Sequence, residues 1–541
     1  MVAKQAHPLL RDRSGGLSTV AARMLRKAAA AMSRGELNTA AAMLNNVFAL
    51  APGHPEALRM LGVLHHFRGH LAESVSALRE ALAAKPGDAL TMMNLATTLH
   101  EHGHVEEAMS LLQRACALVP DFAPAWYNFG KMLRIQGRHS RAITALHRAV
   151  DLDPQHVSAR VMLANVQASL GAMTPAATSF REALQRAPGH ADAWMGLAQL
   201  HAETLTSDDV SQLRQALQAA SVVHERTTLG FALAHALEDT GLHAEAFDTL
   251  EQANALKRQR VDWDARAAHA HTESILQAFT RPARGATEAR LGEEVVFLVG
   301  LPRSASTLVE QILGAHPQIA LMDKPIALMQ ILDEESTRRR QPFPQWVATT
   351  KPADWTRMGA DYLARTEHRR RQGVRFVDAH PLHWRLIGAA MAMLPGARVV
   401  NCRRDPLEHC FSCYRQLFAS GHHFSYDLDD IASYWRDYDK LSRHWLEIFP
   451  QRFFEHRYEL LLDDPNVQMW CLLDFLDLEF DPACLAFHRQ RGAARSIEAA
   501  QARRPLQRGI ARGEQYGDKL DRLRTLLGIE AAVNQAEEMD G

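Results

Sequence analysis

The 541-residue sequence predicts two architectures in series, an all-α repeat solenoid and then an α/β domain with a central parallel sheet. Three observations predict them. Five prolines and five glycines recur on a common 34-residue period through residues 35–188. A β-branched run, Val295–Val299, then passes through a small-residue loop into a helical pattern. Beyond it, apolar runs at 375–378, 398–402 and 452–457 alternate with longer helical patterns, which argues for a parallel sheet in layers.

The repeats come first in the chain. Residues 1–18 are polar and are expected to be a flexible lead-in. Gly35, Gly69, Gly103, Gly137 and Gly171 each sit between two helical stretches, where a left-handed residue can close one helix and turn tightly into the next. Pro52, Pro86, Pro120, Pro154 and Pro188 each end the second helix, which proline cannot continue. Small residues pair across the expected helix contacts: Ala96 with Ala108, Gly130 with Ala142, Ala164 with Ala176. A sixth unit begins near His190 and loses the pattern where Thr204-Leu-Thr-Ser stands for the glycine turn; Ala234, Gly241, Ala246 and Ala253 mark a seventh. Residues 20–190 resemble the tetratricopeptide repeat. The resemblance implies a solenoid over 19–260 whose concave face binds a protein or peptide, with a rigid spacer or dimerisation arm as the plainer alternative. Residues 261–290 read as a connecting helix and linker, and 291–541 as the α/β domain.

That domain opens on VVFLVGLPRSASTLVEQILGAH, Val295 to His316. A buried strand, a tight loop and a helix N-terminus make an anion site, because free N–H groups and the helix dipole converge there. Arg303 adds a charge, and Ser304, Ser306 and Thr307 add hydroxyl donors. In a nucleotide-triphosphate loop the second glycine and the lysine would stand where this chain has Ala305 and Ser306. The missing lysine disfavours ATP or GTP hydrolysis and, with it, a nucleotide kinase.

The second informative stretch is ARVVNCRRDPLEHCFSCYRQLF. Strand 399–402 runs into Arg403-Arg404, and then Asp405 fits an N-cap, Pro406 the first helical position and Glu408 the reciprocal capping partner. Arg404 is thereby held at a strand end with Ser412 two turns along the helix, a second anion site. Cys410 and Cys413 form a C-x-x-C within that helix with no second pair, which reads as packing rather than a redox or zinc site.

PRSASTLVEQIL followed by HP, and Arg-Asp-Pro with a serine eight residues after its arginine, resemble the two nucleotide-binding segments of sulfotransferases that use 3′-phosphoadenosine-5′-phosphosulfate (PAPS). With the repeats, the chain is similar to bacterial tetratricopeptide-repeat sulfotransferases, relatives of the tyrosylprotein sulfotransferases. The resemblance implies a sulfotransferase-like fold, akin to the nucleotide-kinase P-loop fold, with PAPS as donor and no metal. It implies that Arg303, Ser304, Ala305, Ser306 and Thr307 cradle the 5′-phosphosulfate, that Arg404 and Ser412 hold the 3′-phosphate, and that Tyr458 lies near the nucleotide. It makes Arg303 catalytic and gives Asp323, in the place of the family's base, the acceptor proton. Two positions depart. Ala379 stands where the family carries a lysine, with His380 next door as a possible donor. Glu498 stands where it carries a serine, with Ser496 two residues earlier.

Composition narrows the rest. A formal net charge of −1 argues against a general nucleic-acid or membrane binder. No apolar run reaches membrane-spanning length, no signal segment is visible, and six cysteines do not make a disulfide framework, so a cytoplasmic protein is expected. The 28 histidines form no ligand spacing. Two functional readings remain: a sulfotransferase acting on a hydroxyl of a protein tyrosine, a carbohydrate or a small molecule, or a repeat scaffold with a nucleotide-binding but impaired domain.

Overall fold

The computed structural model describes residues 7, 13–200, 205–322, 326–367, 375–489 and 512–529. The chain divides into two compact units, residues 1–188 and 189–541.

The first unit is five helical hairpins: α1 (Thr19–Ser33) with α2 (Leu37–Leu50), α3 (Pro55–Phe67) with α4 (Leu71–Ala84), α5 (Ala89–Glu101) with α6 (Val105–Leu118), α7 (Ala123–Ile135) with α8 (His139–Leu152), and α9 (Val157–Ser169) with α10 (Met173–Arg186). Each periodic glycine is the left-handed residue inside a hairpin, at φ 75°, 76°, 91°, 70° and 79° in order. Gly130 is needed for another reason: a Cβ there would stand 2.6 Å from Leu146 Cγ, so its hairpin closes only on a bare backbone. Ahead of α1, Arg13 reaches Asp88 at 2.6 Å and Glu56 at 3.2 Å.

The second unit begins with helices of its own: α11 (Ala191–Leu200), α12 (Ser207–Ala219), α13 (Val223–Asp239), α14 (His243–Arg258) and α15 (Ala265–Ala278). α13 and α14 form the hairpin marked by Gly241 (φ 79°), while α12, capped reciprocally by Thr206 and Asp209, is inserted ahead of it.

Strand β1 (Val295–Val299) follows, then α16 (Ser306–Leu313), β2 (Ile319–Leu321), α17 (Ala327–Arg339), α18 (Pro352–Thr366), β3 (Arg375–Ala379), α19 (Ile387–Met393), β4 (Arg398–Arg403), α20 (Pro406–Tyr414), α21 (Leu428–Ile448), β5 (Phe453–Arg457), α22 (Tyr458–Asp463) and α23 (Pro465–Phe475). α24 (Arg512–Tyr516) and α25 (Asp521–Leu527) close the described chain. The sheet is wholly parallel in the order β2-β3-β1-β4-β5, with Val296 opposite Val377 and Leu298 opposite Val400. β1 is central and buried at every residue because both faces are covered, which is why it reads as an unbroken apolar run. Val296, Leu298, Val377 and Val400 pack with Val309 and Ile312 of α16 and Leu472 of α23. On the opposite face Phe297 meets Tyr362 of α18, and Tyr438 of α21 donates to Asn401 Oδ1 at 2.7 Å.

Helices α13–α15 pack on this layer through polar as well as apolar contacts. Asn254 Nδ2 donates to the Tyr414 carbonyl at 3.0 Å, and Arg415 pairs with Glu238. Phe279 lies 5.7 Å from Trp445 and presses on Gly388, where a Cβ would approach its ring to 2.7 Å.

Candidate active site

β1 ends at Val299, and Gly300 turns the chain against β4. Its φ is 153°, and a Cβ there would meet Ser304 Oγ at 2.5 Å and the Cys402 carbonyl at 2.8 Å. Arg303 (φ 72°) and Ala305 (φ 69°) are both left-handed, costing about 1–2 kcal/mol each. Left-handed residues in such a loop turn successive N–H groups to one side. Ala305 is the N-cap of α16 and brings no side-chain acceptor, so the N–H groups of Ser306 and Thr307, the first helical residues, have none within the helix. Ser304 Oγ is buried without a hydrogen-bond partner. The sequence-predicted loop residues therefore form a single donor cradle at the carboxyl end of the central strand.

One face of α20 holds that cradle in place. The Pro302 carbonyl accepts from His409 Nε2 at 2.9 Å and from the Cys413 thiol at 3.2 Å, and Arg303 Nε donates to Ser412 Oγ at 3.1 Å. Because a carbonyl only accepts, His409 carries its proton on Nε2. Burial, with Arg404 next, pushes His409 down to about 3, so it is a neutral donor at physiological pH. Burial raises the Cys413 thiol to about 12 and keeps it protonated. Sequence reasoning missed His409 and Cys413; their spacing with Ser412 on one helix face was the available signal.

Arg404 stands where β4 gives way to α20. Its guanidinium lies 5.3 Å over the Tyr458 ring and 3.5 Å from Glu408 Oε2, and its Nε is buried without a partner. Asp405 caps α20 by accepting from the Glu408 N–H at 3.0 Å. The reciprocal half of that cap differs from the sequence expectation: the Asp405 N–H donates to Glu459 Oε1 at 2.8 Å, while Glu408 Oε1 accepts from the Gly513 N–H at 2.8 Å. Glu459, two residues past the end of β5, takes that N–H, and Glu408 lies by Arg404 instead. Adjacent Arg403 is spent structurally, paired with Asp439 and with Glu455 at 2.9 Å. A cleft of about 500 Å³ opens beside the two arginines, lined also by Trp435, Arg443 and Arg457.

The end of β3 supplies the third element. Ala379 pairs with Leu298, so His380 lies next to the start of the loop. His380 Nδ1 accepts from the Leu382 N–H at 3.1 Å, and its ring stacks on His383 at 4.8 Å. His383 Nδ1 lies 3.2 Å from Asp378 Oδ1, whose other oxygen accepts from the Tyr362 hydroxyl at 2.5 Å. Burial first and His383 second lower His380 to about 4. With Nδ1 accepting, the neutral ring keeps its proton on Nε2. His380 thus offers a neutral hydrogen-bond donor and not the charge of a lysine. Asp323, Ser496 and Glu498 lie outside the described residues.

Among the described residues there is no metal-binding group and no helix long and apolar enough to cross a membrane. The model of the sulfotransferase family matches residues 295–482. Tetratricopeptide-repeat models match residues 25–89, 127–191 and 174–220, and a further one matches 68–129. An uncharacterized protein of Aquifex aeolicus (strain VF5) is 25% identical over 315 residues, 56% of this chain and 41% of that protein. The chain therefore spans about two fifths of that relative's length. Among solved structures, PilF of Pseudomonas aeruginosa is 17% identical at a TM-score of 0.33, covering 37% of this chain and 89% of its own. A thermophilic repeat protein of Thermus thermophilus is 22% identical at a TM-score of 0.31, covering 34% of this chain and 98% of its own. Residues 295–482 are a sulfotransferase-family domain, carried by a chain whose N-terminal part is an array of tetratricopeptide repeats.

Proposed function

We propose that the C-terminal domain transfers the sulfuryl group of PAPS to a hydroxyl acceptor (a protein tyrosine, a carbohydrate or a small molecule) and that the repeat array binds a protein or peptide partner. The observation that carries this is a pair of donor sites with unfilled capacity at neighbouring strand ends, joined through Arg303 and Ser412. Ser304 Oγ in one and Arg404 Nε in the other are buried without partners, which suits phosphate oxygens. PAPS supplies the activated sulfuryl group.

In this reading the N–H groups of Ser306 and Thr307, with Ser304 and Arg303, hold the 5′ end of the donor, and Ala305 shapes the loop. Ser412 Oγ accepts from Arg303 and keeps its own hydrogen to donate beside Arg404 at the 3′-phosphate. Tyr458 offers its ring to the base. Arg303 and the His380 Nε2–H stabilise charge developing on the leaving side, and Asp323 takes the acceptor proton. The six cysteines, all free, accord with a cytoplasmic location.

Calorimetric titration with adenosine 3′,5′-bisphosphate and with 5′-AMP tests the donor site. Tight binding of the bisphosphate alone, lost in Arg404→Ala, is expected. Equal binding of both nucleotides sinks the donor assignment. Ala379 favours a second reading, a domain that binds the donor and turns over poorly for want of a cation. Ala379→Lys then raises single-turnover sulfuryl transfer while leaving bisphosphate affinity unchanged.

A further inference from the structure

Arg385 is a half-buried cation without an anion. Its guanidinium is stacked 4.7 Å over the Trp384 ring and 4.8 Å over the Tyr434 ring, and its Nε and Nη2 are buried with no hydrogen-bond partner. Other arginines of the same unit are matched with carboxylates: Arg415 with Glu238, Arg403 with Asp439 and Glu455, Arg258 with Asp430. Arg385 has no carboxylate within ion-pair distance among the described residues. A guanidinium does not shed its proton, so a desolvated one lacking an acceptor is costly unless something outside the fold completes it. Around it the unfilled groups are donors: Trp263 Nε1, against the same Tyr434 ring at 5.4 Å, is also buried and unpartnered. His271 faces Arg385 and is held neutral by burial first and by that guanidinium second, so it brings no competing charge.

The position of this cluster connects it to the candidate active site. Phe424 stacks on Tyr434 at 3.9 Å, and His422, 6.1 Å from Phe424, faces His380 closely enough to lower it further. On the other side Tyr434 lies beside Cys413, whose thiol donates to the carbonyl of Pro302 in the cradle. Arg385 is thus linked through Tyr434 to Cys413 beside the loop, and through Tyr434, Phe424 and His422 to His380 at the end of β3.

We infer that Arg385 is the anchor for a carboxylate on the acceptor, so that this domain takes an acidic aromatic hydroxyl compound. The inference rests on the sulfotransferase reading above. A guanidinium lying against two rings that meet edge to face is fixed in place and presents its fork to a carboxylate, and the half-buried Trp263 leaves ring surface for an aromatic body.

The full-length chain, saturated with adenosine 3′,5′-bisphosphate, is titrated by calorimetry with 4-hydroxyphenylacetate and with its amide. Wild type is expected to bind the acid at least about tenfold more tightly than the amide, as a charged hydrogen bond requires. Arg385→Gln is expected to erase that preference and Arg385→Lys to retain part of it, both with bisphosphate affinity unchanged. Equal binding of acid and amide by wild type, no binding of the acid, or an undiminished preference in Arg385→Gln overturns the inference. Failure of the bisphosphate to bind wild type counts instead against the donor reading, and the acid–amide comparison is then read on the unloaded chain.

Discussion

Arg303 Nε donates to Ser412 Oγ at 3.1 Å, joining residues 109 positions apart in the chain. The bond ties the loop after β1 to the middle of α20, so the two anion cradles cannot move independently. Ser412→Ala removes both that acceptor and the hydroxyl donor. A hydrogen bond to a charged group contributes about 1.5–3 kcal/mol, so bisphosphate affinity is expected to fall about ten- to a hundredfold. Calorimetry on the variant checks this, alongside a melting curve that should shift little.

His380 is neutral and its free ring nitrogen bears a proton, so its proposed contribution is a hydrogen bond to developing charge. Removing one such donor typically costs about 10²–10³ in kcat. His380→Ala is expected to lose rate on that scale with bisphosphate affinity unchanged. Because burial and His383 hold the group at about 4, it contributes no step to the rate profile between pH 6 and 9. A rate limb near neutrality that vanishes in His380→Ala contradicts the assignment.

Acid stability of the second unit follows from two buried histidines. Burial lowers His409 to about 3 and His456 to about 4, and each side chain is 1% exposed. Both are depressed from an unfolded value of about 6.5, so at pH 5 the unfolded chain binds more protons and stability falls on acidification. The loss begins below about pH 6.5 and amounts to about 2 kcal/mol per histidine between pH 7 and pH 5. His409→Gln and His456→Gln should flatten the dependence of melting temperature on pH across that window, whatever they do to absolute stability. Unchanged slopes would show that other groups carry the effect.

Where the chain can be cut is equally testable. A fragment starting at Gly189 keeps α13–α15, including Glu238 for Arg415, Asn254 for the Tyr414 carbonyl and Phe279 for Trp445. A fragment starting at residue 291 strands the buried Arg415 charge, which costs about 3–5 kcal/mol once its partner is gone, and bares the aromatic face around Trp445. The longer fragment is expected to give a single cooperative melt and the shorter one to aggregate. Comparable melts from both would overturn this view of how the helices support the sheet.

The parts of this molecule that were legible in the sequence are those with local causes. The periodic glycines announced their left-handed turns because a tight helical hairpin admits few other residues, and Val295–Val299 read as a strand because both its faces are covered. The loop from Gly300 to Thr307 and the placing of Arg404 and Ser412 after β4 were legible for the same reason. What escaped has distant causes. β2 is three residues long and too short to show a period. The capping pattern at Asp405 named Glu408, yet a glutamate from after β5 takes the N–H, because strand adjacency is a property of the sheet order. His409 and Cys413 could not be tied to Pro302 without that same order, and Arg385 attracts notice only once its neighbours are known to lack a carboxylate.

The three contacts that α20 makes with the loop, through His409, Ser412 and Cys413, also limit how this stretch can change in length. Inserting or deleting a single residue between Arg404 and His409 turns the helix face by about 100°. The Pro302 carbonyl and Arg303 would then lose their partners together, although every residue type was retained. A conservative substitution at Phe411, which packs on Phe247 and Tyr516, leaves that register intact. Segment 404–413 therefore works as a ruler: its length is fixed as firmly as the residues that touch the loop.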